Sequence, residues 1–170
     1  MGAGYRERVT LAEGTCVELR PIRPADQPLL QECLRGLSER TRYLRFLSPR
    51  AELDPDELRS FTDVDGETRF ALAAFAPSSR RLVAVGQFVR GSAASAAAEI
   101  ALLVADALQG KGLGRLLLSR LREAARERSI TRFTGTVLEE NQPMRDLLRK
   151  LGARMGLPSR GVCEIELALT

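Results

Sequence analysis

The chain has 170 residues, 44% hydrophobic and 28% charged, which is the composition of one globular domain. A net charge of +4, spread along the chain, is too small an excess to mark a nucleic-acid binder. Histidine is absent, so a Ser-His-Asp triad, a Cys-His pair and imidazole metal ligands are all excluded, and no metal site is expected.

Residues 1–14 read as an N-terminal extension and residues 15–170 as a single domain. A first strand is predicted at 17–22 from its alternation of apolar and polar residues. Pro24 and Asp26 then open a helix with Leu29, Leu30, Cys33, Leu34 and Leu37 on its apolar face, and 38–46 reads as a second short helix. Asp54, Pro55 and Glu57 have the spacing of a capping box with proline in the first turn, which marks a third helix. Residues 70–76 and 82–89 are apolar strands joined by a turn at Pro77–Ser79, and 91–98 is expected to be a flexible hairpin tip. After an apolar strand at 100–104 comes an amphipathic helix beginning near Leu113, then a strand at 133–138. Asn141 caps a last helix stopped by Gly152, and 162–169 closes the sheet. Hairpins and crossovers therefore mix, and the expected fold is α/β or α+β: a mixed sheet flanked by helices.

Cys16, Cys33 and Cys163 are far apart and outside any CxxC spacing, as expected of reduced thiols in a cytoplasmic protein. No window has the length of a membrane span, and the first residues lack a signal peptide's apolar run, so no membrane partner is expected. Any chemistry must run on carboxylates, backbone amides, hydroxyls, thiols or a cofactor.

The most informative stretch is QGKGLG at 109–114, between a buried strand and a helix. Gly110, Gly112 and Gly114 let backbone approach a ligand, and the helix start offers unpaired N–H groups and a positive dipole end. Lys111 and Arg115 add charge there, and the whole reads as a pyrophosphate site. It is not a Walker A loop, and its third glycine comes one residue early for a dinucleotide fingerprint.

The spacing resembles the Q/R-x-x-G-x-G/A loop that binds acetyl-coenzyme A (acetyl-CoA) in the GCN5-related N-acetyltransferases (GNAT family). LEENQPMRDLLRKLG, at 138–152, is similar to that family's second signature, and the likeness extends over 17–169. Within the family the chain looks closest to bacterial protein lysine acetyltransferases, on the segments LSERTRYLRFLSP and FTDVDGETRFALAAF. The resemblance implies a mostly antiparallel sheet splayed at an acetyl-CoA groove, with acetyl-CoA as co-substrate. The implied groove residues are Leu102, Leu103, Val104, Gln109, Gly110, Lys111, Gly112, Leu113, Gly114, Arg115, Asn141 and Met144. Asn141 matches a pantetheine contact as well as being a helix cap, and backbone N–H groups near Leu103 and Val104 are expected to meet the thioester.

Glu99 matches the glutamate that the resembling lysine acetyltransferases use as base, and without histidine a carboxylate is the natural choice. Leu148 replaces the tyrosine with which many of these enzymes protonate the thiolate. Glu52, Asp54, Asp56, Glu57, Asp63, Asp65 and Glu67, opposed only by Arg59, read either as an acidic lip for a cationic acceptor or as capping acids on a solvated loop. The expected reaction is acetyl transfer to a primary amine, foremost a protein lysine, for example on an acyl-CoA synthetase. A small-molecule amine acceptor and a non-catalytic acetyl-CoA-binding module are the alternatives. The sequence sets no oligomeric state.

Overall fold

A computed structural model describes residues 1–169. Its strands are β1 (Glu7–Thr10), β2 (Cys16–Pro21), β3 (Arg69–Phe75), β4 (Leu82–Val89), β5 (Ala97–Val104), β6 (Arg132–Leu138), β7 (Arg154–Met155) and β8 (Val162–Ala168). The helices are α1 (Gln27–Arg35), α2 (Glu39–Phe46), α3 (Pro55–Thr62), α4 (Leu113–Arg126) and α5 (Gln142–Lys150). The strands form one sheet in the order β1-β2-β3-β4-β5-β6-β8-β7, antiparallel throughout except for the β5–β6 pair. That one parallel pair follows from the connection, because α4 is the crossover that carries the chain back to the end of the sheet where β5 began.

Alternation along the strands gives the sheet two apolar faces. On one, Leu19, Phe70, Leu72, Phe88, Leu102 and Phe133 meet the α4 residues Leu113, Leu117, Leu118 and Leu121. On the other, Ala71, Ala73, Val85 and Leu103 meet Leu30, Cys33 and Leu34 of α1. Gly86 lets α4 lie close to the sheet: a Cβ there would come within 2.8 Å of Leu121 Cδ1.

Several local expectations change. The extension at 1–14 contributes a strand, β1, which pairs with β2 in the register Glu7↔Leu19 to Thr10↔Cys16. A four-residue edge strand rich in charge carries too little apolar pattern to be read from sequence. Its charges find partners only after folding: Arg6 and Arg8 on Glu18, at 2.8 and 3.3 Å, and Glu7 on Arg120 of α4 at 2.7 Å. The hairpin tip is shorter than expected. Ala97 and Ala98 belong to β5, where Ala98 is buried opposite Phe133. β7, two residues long, was also not anticipated.

Candidate active site

β5 and β6 run together for only three residue pairs, Ala97↔Arg132, Ala98↔Phe133 and Glu99↔Thr134, and then part. Gly135 marks the fork, since a Cβ there would lie 3.4 Å from the Ile100 carbonyl oxygen. Beyond the fork lies a cavity of about 640 Å³, a volume suited to a small ligand. Glu99 to Val104 line one wall, Gly135 to Leu138 the other, and the start of α4, the start of α5 and one face of α2 complete it.

The ladder decides which backbone groups face this cavity. β5 pairs with β4 from Ala84↔Val104 to Val89↔Glu99, and the Ala105 N–H donates to the Val83 carbonyl. Alternation then turns the amide of Leu103 towards β4 and those of Leu102 and Val104 into the fork. The Val104 carbonyl does face that way, accepting from Gln109 Nε2 at 3.0 Å. The donors that face the fork are therefore those of Leu102 and Val104, which narrows the expectation of N–H groups near Leu103 and Val104. A Leu103 amide facing the cavity is excluded by parity.

At the cavity's upper end the backbone makes a cradle. Gly110 and Gly112 have φ of +73° and +88°, the left-handed region that side chains disfavour, and no atom lies within 4 Å of a Cβ built on either. Gly112 is the N-cap of α4 and provides no side-chain cap, and the first helical bond is Leu116 N–H to the Gly112 carbonyl. The amides of Leu113, Gly114 and Arg115 thus remain without a helical acceptor, as an anion requires. This open cradle fits the pyrophosphate of acetyl-CoA. Among the sequence-predicted residues, Glu99, Leu102, Leu103, Val104, Gln109, Gly110, Gly112, Gly114, Arg115, Asn141 and Met144 line the cavity. Lys111 and Leu113 do not. The Lys111 ammonium pairs with Glu13 at 3.0 Å, and the Leu113 side chain is fully buried under the sheet.

Asn141 caps α5, its side-chain oxygen accepting from the Met144 amide at 3.3 Å. Leu148 is buried and brings no hydroxyl to the cavity, whereas Thr136 does line it. Burial pushes the Cys33 thiol up to about 11, and Cys33 and Cys163 both lie in the core, which removes them as nucleophiles.

Sequence reading missed the α2 wall. Thr41, Leu44, Arg45 and Leu47 face the cavity, and α2 buries no residue fully. It is held by Asp106, which accepts from the Ser38 amide at 2.9 Å, the Ser38 hydroxyl at 2.7 Å and the Thr41 hydroxyl at 2.7 Å. Gln109 Nε2 also reaches Thr41 Oγ1 at 3.2 Å. Burial alone would raise the Asp106 pKa, but these donors outweigh it and hold the carboxyl below its usual range. The segment LSERTRYLRFLSP had carried the resemblance, but its S-x-x-T spacing before an arginine-rich helix does not reveal a partner some 65 residues away.

The acidic stretch is not a lip. Asp54 and Glu57 form the α3 capping box, and Glu57 also pairs with Arg50. Glu52 pairs with Arg35 at 2.8 Å, Asp56 with Arg59, and Glu67 with the buried Arg90. Asp65 caps the following turn, accepting from the amides of Glu67, Thr68 and Arg69. None of the seven acids lines the cavity.

The family model for the "Acetyltransferase (GNAT) domain" matches residues 17–154. The chain belongs to the GNAT family. It is an acetyl-CoA-dependent N-acetyltransferase, with acetyl-CoA as co-substrate. An acetyltransferase of Pseudomonas aeruginosa is 30% identical over 144 residues, covering 84% of this chain and 77% of that one. The acetyltransferase Pat of Mycolicibacterium smegmatis is 31% identical over 148 residues, 85% of this chain but 43% of that protein. The GNAT domain of Streptomyces lividans PAT superposes with a TM-score of 0.92 at 30% identity, covering 99% of both chains. The open, mostly antiparallel sheet is that of the GNAT fold. Among the described residues no group of three Cys, Asp or Glu is arranged to hold a metal, and no helix is long and apolar enough to cross a membrane.

Proposed function

We propose that this acetyltransferase modifies the side-chain amine of protein lysines, and that Glu99 at the fork is its general base. The observation that carries the reading is the position of Glu99. It is an exposed carboxylate at the last β5–β6 pair, lining the same cavity as the glycine cradle. The likeness to Pat and to the S. lividans PAT domain favours a lysine acceptor. The catalytic unit is residues 15–170, to whose sheet edge the first fourteen add β1. Three free cysteines suit a cytoplasmic location.

Acetyl-CoA supplies an activated acyl group, so the protein needs no covalent intermediate. The amides of Gly110 to Arg115 and the Arg115 guanidinium hold the pyrophosphate, and Asn141, Met144 and the β5 edge hold the pantetheine arm. Leu102 and Val104 aim N–H groups at the place where an oxyanion develops, which stabilises it without reorganisation. A lysine amine has a pKa near 10.4 and is almost wholly protonated at neutral pH. Glu99 removes that proton, directly or through water, so that the free amine attacks. The attacking nitrogen passes its surplus proton to water as the C–S bond breaks, and with Leu148 in place of a tyrosine the departing thiolate takes its proton from solvent.

The test is thiol release from acetyl-CoA against an acceptor panel of an acyl-CoA synthetase, lysine peptides, polyamines and amino acids. Protein or peptide lysine turned over best is the expected result. Turnover confined to small amines would overturn the lysine assignment, and binding of acetyl-CoA without turnover would overturn the catalytic one.

A further inference from the structure

Arg45 is a half-buried cation on the cavity wall whose guanidinium has no hydrogen bond and no ion pair among the described residues. Its neighbours are two rings: Phe46, 4.8 Å from the guanidinium to the centroid, and Phe61 at 5.5 Å. These rings pack edge to face at 6.3 Å, which fixes the platform on which the guanidinium lies. Stacking satisfies the faces of a guanidinium and leaves its in-plane N–H donors free. Burial pushes Arg45 down to about 10, and the one charge that acts against this is Glu99.

α2 runs along the cavity from Thr41, which is bonded to Gln109 at the cradle end, to Arg45 one helical turn on, which lines the same cavity as Glu99. Glu99 likewise has no ion pair or hydrogen bond among the described residues. The acceptor end therefore holds one free anion and one free cation that face the same space without closing on each other. The other charges on the lining are Arg115, Asp146 and Lys150, on the α4 and α5 walls. Asp146 is already engaged by Gln142 at 2.6 Å and Arg149 at 3.2 Å.

A lone ammonium gains little at such a site, since Arg45 repels what Glu99 attracts. An acceptor that brings a negative group beside its amine satisfies both. We propose that Arg45 is the anion anchor of the acceptor subsite, so that preferred acceptors carry a carboxylate next to the amine that is acetylated. This rests on acetyl transfer to an amine at Glu99. For a peptide acceptor, it means an acidic residue flanking the lysine. A guanidinium binds carboxylate through two parallel N–H···O bonds, so geometry as well as charge selects the ligand.

The test is kcat/KM for two matched pairs: peptides with one lysine beside glutamate or beside glutamine, and free lysine against its decarboxylated diamine. The intact protein is expected to prefer the carboxylate member of at least one pair about tenfold, the scale of one charge-assisted hydrogen bond. Arg45→Gln brings that ratio to about one, with the change in KM, while acetyl-CoA affinity stays the same. Arg45→Lys, which keeps the stem and charge but not the fork, keeps part of the ratio and guards against misfolding of the first variant. No preference in the intact protein, or a full preference surviving in Arg45→Gln, overturns the proposal. Glu99→Gln separates the two readings: a wild-type rate there removes the base assignment and leaves the Arg45 ratio to stand or fall alone. A protein that turns over none of the four acceptors overturns the Arg45 proposal, while the acetyl-transfer reading is decided by the wider acceptor panel.

Discussion

Two parts of the cleft's lining, the glycine cradle and α2, are built on different principles. The cradle wall, from Gly110 to Arg115, presents main-chain amides, and what fixes it is the absence of side chains at two positions with positive φ. The α2 wall presents side chains, Thr41, Leu44, Arg45 and Leu47, and what fixes it is a carboxylate, Asp106, from a distant loop. A backbone site serves a ligand common to a whole family, since any sequence with the right glycines can make it. A side-chain site serves a ligand that differs from member to member. On the proposed function the first part binds the co-substrate and the second faces the acceptor, so each can be perturbed without the other.

The largest separation is expected at the fork between them. Glu99→Gln keeps shape and polarity but cannot take a proton, so turnover should fall about 10²–10⁴-fold, the usual range for a general base. Acetyl-CoA affinity, measured by calorimetry, should not move. Raising the pH supplies free amine without help, so the variant's rate should recover towards wild type as pH rises through the acceptor's pKa. A wild-type rate at pH 7 would move the search for a base elsewhere in the cleft.

Next in size is an attack on the cradle alone. Gly112→Asp places a carboxylate at the mouth of α4, at a φ of +88°, where it crowds the loop and repels the pyrophosphate. Acetyl-CoA affinity should fall at least about tenfold, or roughly 1.4 kcal/mol, with the circular dichroism spectrum retained. Unchanged affinity in a folded variant would remove the cradle from the site. Asn141→Ala is milder. The lost α5 cap costs about 0.5–2 kcal/mol of stability, and a separate loss of acetyl-CoA affinity is expected if the amide meets pantetheine. Melting that falls while affinity holds would leave Asn141 as a cap only.

What the sequence showed follows the same division. The glycine spacing, the caps at Asp54 and Asn141 and the apolar face of α4 are local patterns, and each appears in the structure where it was read. The position of Glu99 depends on β5 ending its pairing with β6 after three residues, a tertiary event that residues 97–104 alone do not encode. Arg45 was invisible for the same reason: an arginine among several in RTRYLRF gains meaning only once Phe61 and Glu99 arrive from elsewhere. The acidic run left two readings open because charge counts do not record partners, and the structure matches capping acids rather than a lip. Glu52, Asp56, Glu57 and Glu67 are matched to arginines, and Asp54 and Asp65 to backbone amides.

The smallest expected effect sharpens the comparison most, because it touches only the hold on α2. In Asp106→Asn one oxygen is replaced by an amide, so either the Ser38 N–H or the Ser38 and Thr41 hydroxyls face a donor instead of an acceptor. About 1 kcal/mol of stability should be lost at neutral pH, the net worth of a partly exposed hydrogen bond. The sign of its pH dependence is fixed by the carboxyl's depressed pKa in the folded protein. A carboxyl held below its unfolded value, about 3.9, contributes in full above that pH and progressively less as pH falls through the native value. Wild type and variant should therefore differ by a constant amount above about pH 5 and converge below about pH 4. Chemical denaturation at three pH values checks this, and a gap that persisted undiminished at low pH would show that Asp106 does not hold α2 through its charge. Kinetically, the acceptor KM should rise while acetyl-CoA affinity stays within about twofold, since the cradle amides are untouched. Equal losses on both sides would mean that Gln109, which bonds to both Thr41 and the Val104 carbonyl, couples the walls into one unit.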